Sequence, residues 1–95
     1  MRKLLSAVEG TIFDVYEDDS AQLYLVVLCQ GIAWARIGVV LTEDECSQFR
    51  ASPHALDALA RSVCYDFSPF QKRAVPDSIR RQIEDLDEEA SFDER

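Results

Sequence analysis

Cys29, Cys46, Cys64 and His54 are the side chains of this sequence best suited to thiol catalysis or to binding a soft metal ion. A Cys–His pair needs its thiolate and imidazole within hydrogen-bond reach. Cys46 and Cys64 fall in helical segments on either side of His54, so that pair is the one enzymatic arrangement the sequence offers. Two features weigh against it. His54 stands beside Pro53 in the first turn of an expected helix, where the helix dipole disfavours an imidazolium. Each cysteine also lies in an apolar or helical stretch, where packing alone explains it. A zinc site would need a local half-site such as C-x-x-C, and none is present. An odd number of cysteines does not suit a secreted disulfide framework, so all three are expected as reduced, buried thiols in a cytoplasmic protein.

The acidic clusters carry no more chemistry than this. Glu17-Asp18-Asp19 lacks the glycine and distal glutamate of a calcium loop and reads as a solvated turn. Glu43-Asp44-Glu45 sits where a first helical turn attracts carboxylates. The three glycines, Gly10, Gly31 and Gly38, form no phosphate-cradling loop. No catalytic residue, cofactor site or metal ligand is therefore assigned, and the protein is expected not to be an enzyme.

Net charge is −8 over 95 residues, and its placement matters more than its size. From Glu84 to Arg95 there are seven acids against one arginine, whereas residues 1–83 hold eleven acids and nine bases. The basic residues Lys72, Arg73, Arg80 and Arg81 precede that acidic stretch and are neutralised by it. Nucleic acid and anionic membrane both require a dense positive footprint, so neither is expected as a partner. The opening Met1-Arg2-Lys3-Leu4-Leu5 is too short an apolar run for an export segment, and no stretch is long enough to span a membrane.

The elements that would carry a site read as follows. Thr11–Tyr16, Gln22–Cys29 and Ile32–Leu41 have the β-branched and apolar character of strands. Gln30-Gly31 offers a two-residue hairpin turn between the last two. Thr42 starts a helix, with Glu45 as capping-box partner and Leu41 and Cys46 as the apolar staple. Ser52-Pro53 starts a second, whose buried stripe is Leu56, Leu59, Ala60 and Val63. A third is expected from Asp77 to about Leu86, with Ile79, Ile83 and Leu86 on one stripe. The fold class is α+β: a two-layer domain with an antiparallel three-stranded meander followed by two or three helices packed on one sheet face. Residues 1–86 form the domain, and 87–95 an acidic, flexible tail.

Register gives the sharpest expectation. A two-residue turn at Gln30-Gly31 sets Cys29 opposite Ile32 and Val26 opposite Ala35. One face then holds Tyr24, Val26, Leu28, Ala33, Ala35, Ile37 and Val39, joined by Phe13 and Val15, and is assigned to the helices. The other holds Leu23, Leu25, Val27, Ile32, Trp34 and Arg36, too apolar to be left in water. An odd slip in the turn would exchange the two faces. Tryptophan and arginine are enriched at interface hot spots. Trp34, Arg36, Leu25, Val27 and Ile32 are accordingly the candidate partner-binding residues.

These residues lead to a small acidic protein–protein interaction module, with a homodimer through the Trp34 face as the foremost form. The alternatives are an immunity- or inhibitor-type protein steered by its acidic end onto a basic partner such as a nuclease toxin, and, ranked last, a thiol-dependent enzyme.

Overall fold

The computed structural model describes residues 1–7, 10–29 and 35–93. Four strands form one antiparallel sheet in sequence order: β1 Arg2–Leu5, β2 Phe13–Glu17, β3 Leu23–Cys29 and β4 Ala35–Val40. Helix α1 spans Glu43–Ala51, α2 Asp57–Tyr65 and α3 Asp77–Asp93, with short 3-10 turns at Pro53–Leu56 and Ser68–Arg73. The α+β class holds, and the sheet has one strand more than the expected meander. The extra strand, β1, is two charged residues followed by two leucines, and its charged half suits an edge. Arg2 and Lys3 are exposed there, and Arg2 Nε pairs with Glu17 Oε1 at 2.8 Å. Charge on an outer strand is a usual guard against edge-to-edge pairing.

The capping of α1 follows the sequence. Glu45 N–H donates to Thr42 Oγ1 at 3.2 Å, and Thr42 N–H donates to Glu45 Oε1 at 2.9 Å. Arg73 fixes this corner from the far side, bonding the Val40 carbonyl and pairing with Glu45. Arg73 is thus tied to α1 and β4 rather than to the acidic end. Ser52 makes no side-chain cap, and Pro53 opens a 3-10 turn before α2 begins. Helix α3 continues past Leu86 to Asp93.

The largest correction concerns the β3–β4 register. Cys29 pairs with Ala35, Val26 with Gly38 and Tyr24 with Val40, so five residues separate the paired strand ends. The expected hairpin at Gln30-Gly31 itself lies outside the described residues. A shift of three positions is odd, and side chains alternate with a period of two, so β4 is turned over relative to β3. Leu23, Leu25 and Val27 therefore share a face with Val39, Phe13 and Val15, and α1 and α2 cover it through Phe49, Leu56, Ala60 and Val63. The opposite face carries Tyr16, Tyr24 and Val26, and Ile83 of α3 packs on it. Helices thus lie on both faces, not one. Two apolar faces on a single sheet each require cover, and the order of the elements supplies two helices for one and α3 for the other.

A second correction is covalent. Cys29 and Cys64 form a disulfide joining the end of β3 to α2, with Cα atoms 5.4 Å apart, so only Cys46 remains a free thiol. Sequence spacing could not bring a strand end and a helix together; the packing of α2 on the sheet does. No described helix is long and apolar enough to cross a membrane.

Candidate functional site

The polar chemistry gathers under α3. Its stripe Ile79, Ile83, Asp87 advances four residues at a time, so Asp87 occupies a core-facing position with a charged group. There it meets donors from three strands. Tyr16 Oη of β2 donates to both Asp87 oxygens, at 2.8 and 3.0 Å. Arg36 Nη2 of β4 approaches Asp87 Oδ2 at 2.6 Å, and Lys3 Nζ of β1 lies 3.1 Å from Oδ1. Arg36 also donates to Tyr16 Oη at 3.1 Å and lies 3.5 Å from Asp14 Oδ2.

Electrostatics makes this cluster a clamp rather than an acid–base pair. Burial of Tyr16, reinforced by its hydrogen bond to Asp87, pushes the phenol well above its ordinary value of 10.0. It remains a neutral donor through the physiological range. Burial acts to raise the Asp87 carboxyl, but hydrogen bonds from Tyr16, Lys3 and Arg36 outweigh it and hold the group below 3.8. A carboxylate with each oxygen engaged and a phenol that does not ionise have little left for proton transfer.

Beside the clamp, a cleft of about 330 Å³ opens between α3 and β4. Val26, Gly38, Val75 and Ile83 are among its apolar lining residues, and Arg36, Arg80 and Glu84 are its charged ones. Gly38 sets how closely its wall approaches the sheet. Val75 N–H donates to the Gly38 carbonyl at 3.3 Å, and a Cβ added at Gly38 would lie 2.7 Å from Val75 Cγ2. Gly38→Ala is expected to push the 74–76 segment off β4 and destabilise the fold by about 1–3 kcal/mol. Urea unfolding checks this; an unchanged midpoint would show that Val75 does not pack there.

A third feature sits at the end of the same sheet face. Among the described residues, Ile12 and Leu28, 46% and 43% exposed, are the exposed large aliphatic side chains, and Tyr65 on α2 is the exposed aromatic one. Leu28 N–H donates to the Ile12 carbonyl at 3.1 Å, and Leu28 pairs across the sheet with Arg36. Strand alternation puts Ile12, Asp14 and Tyr16 on one face.

The residues singled out in the sequence are scattered by this arrangement. Leu25 and Val27 are fully buried beneath α1 and α2, leaving no surface for a partner there. Arg36 is on the opposite face, within the Asp87 clamp. Trp34 and Ile32 lie outside the described residues. Cys64 is held in the disulfide and offers no thiolate, while His54 Nδ1 lies 3.4 Å from Asp57 Oδ2 at the surface. Among the described residues, no three His, Cys, Asp or Glu side chains are placed to hold a metal ion. Sequence reading missed Lys3, Asp14, Tyr16 and Asp87. A charged residue continuing the apolar stripe of α3 was the available signal for the last of them.

No family model, curated protein or solved structure matches this chain. Its function must be argued from the geometry alone.

Proposed function

We propose that this protein is a non-enzymatic protein-binding module that pairs with a second copy of itself through the end of the sheet carrying Ile12, Leu28 and Arg36. The observation that carries the reading is the exposure of Ile12 and Leu28 side by side, on a face whose remaining apolar residues are covered. Large exposed apolar side chains in contact mark interaction surfaces more often than isolated ones do. Arg36 and Asp14 border the pair, 3.5 Å apart. In a two-fold dimer each patch meets itself, so an apolar centre flanked by opposite charges is self-complementary.

The test is solution mass by sedimentation across the micromolar range. A concentration-dependent dimer is expected. Ile12→Glu with Leu28→Glu should weaken it roughly tenfold or more while leaving the thermal midpoint nearly unchanged. A native chain that stays monomeric throughout sinks the self-association reading. That outcome favours the second reading, an immunity- or inhibitor-type protein for a basic partner. Its support is the acidic stretch from Glu84 onward, of which Glu84 and Asp85 are exposed on α3.

A further inference from the structure

The cleft between α3 and β4 meets the Ile12–Leu28 patch at Arg36 but has its own lining, and that lining specifies a ligand. At about 330 Å³ it lies at the small end of the range for ligand pockets, the size for one amino-acid-scale molecule. Val26, Ile37, Val75 and Ile83 supply a mainly aliphatic lining, with Phe67 its one aromatic ring among the described residues. Three charged groups join it: Arg36 from β4, and Arg80 and Glu84 from α3.

Arg80 and Glu84 are one helical turn apart, so their side chains emerge as neighbours on one helix face. The contacts of Arg36 to Asp87, Asp14 and Tyr16 all run through Nη2, which leaves the guanidinium N–H donors at Nε and Nη1. Arg80 likewise meets Asp77 through Nη2 alone. Glu84 pairs with no cation among the described residues.

The sign of the ligand follows from this balance. A simple anion would enter a chain of net charge −8, beside guanidinium groups already shared with aspartates. A simple cation would face two guanidinium groups. A zwitterion avoids both penalties, setting its carboxylate against the arginines and its ammonium against Glu84. We infer that the cleft is a binding site for a free aliphatic α-amino acid, with Arg36 and Arg80 receiving the carboxylate, Glu84 the ammonium, and Val26, Val75 and Ile83 the side chain.

The experiment is an NMR titration of the full chain with L-leucine, 4-methylpentanoate, which lacks the amine, and 3-methylbutylamine, which lacks the carboxylate. Leucine is expected to give saturable shifts at the amides of Gly38, Val75 and Ile83. Each truncated analogue should bind roughly fivefold more weakly or worse. Glu84→Gln should weaken leucine without weakening 4-methylpentanoate; Arg80→Gln should weaken leucine without weakening the amine. Both side chains are exposed, so the fold is expected to survive, and the analogue series on the native chain decides the matter without them. Absence of saturable leucine shifts, or an analogue that binds as tightly as leucine, overturns the assignment. Because Arg36 borders both surfaces, the titration is repeated on the Ile12→Glu, Leu28→Glu chain, where leucine should bind equally well.

Discussion

Replacing Cys29 and Cys64 together by serine is expected to lower the unfolding free energy by about 3–4 kcal/mol. The two residues are 35 apart, and the loop they close contains β4, α1 and most of α2. Cutting the link restores that loop's freedom to the unfolded chain, where a disulfide has most of its effect. Reduction of the native protein with dithiothreitol should produce nearly the same loss, seen as a lower urea midpoint. Agreement between the two separates the cross-link from the packing of a hydroxyl at position 29, which is buried. Cys64 is exposed, so the reductant has access without prior unfolding. Thiol counting supplies the complementary readout: only Cys46 should react before reduction. A midpoint indifferent to reduction would mean that the two thiols are not joined in solution.

Asp87→Ala is the other substitution with a large expected effect, a loss of about 2 kcal/mol. Removing one partner of a fully buried ion pair costs more than this, and removing an exposed one much less. The clamp lies between those limits, because the Arg36 side chain is 41% exposed while Tyr16 is wholly buried. The variant leaves Tyr16, Lys3 and Arg36 without their common acceptor, so α3 should loosen first. Faster amide exchange in α3 than in β2 and β3 is the expected local sign; uniform loss of protection would argue against a local role. The pH dependence has a definite direction. The Asp87 carboxyl is depressed in the fold, so its contribution is complete above 3.8 and disappears as pH falls through the lower folded value. The Tyr16 phenol is raised, so its contribution is complete below 10.0 and is lost as pH rises through the higher folded value. The clamp's contribution should therefore be constant between these limits, and Asp87→Ala should reduce the acid-side slope of stability.

The fold was legible wherever a local rule governed it. Thr42 and Glu45 announced α1 because a capping box is a contact between residues three apart. The strands were legible from β-branched and aromatic runs, and α2 from the spacing of Leu56, Ala60 and Val63. Register was not legible, because the length of the connection after Cys29 is decided by tertiary packing. One odd shift there turned Arg36 toward α3 and committed Leu25 and Val27 to the core. The disulfide and the clamp were hidden for a related reason. Cys29 and Cys64, or Tyr16 and Asp87, meet only after helices have docked on opposite sides of the sheet. Asp87 in particular read as part of an acidic end, although its step of four from Ile83 placed it on the apolar stripe.

The strand order β1-β2-β3-β4 carries a kinetic consequence. Every sheet pairing joins strands adjacent in the chain, which keeps most native contacts local and favours rapid assembly. The contact between Tyr16 and Asp87 spans 71 residues and bears a far larger loop-closure entropy. Loop closure alone therefore favours forming the hairpins before α3 is seated, and amide exchange in α3 faster than in the sheet is the expected sign of α3 lifting from an intact sheet. Each such excursion bares Tyr24 and Val26 next to Leu28, transiently enlarging the apolar patch that the resting fold keeps small.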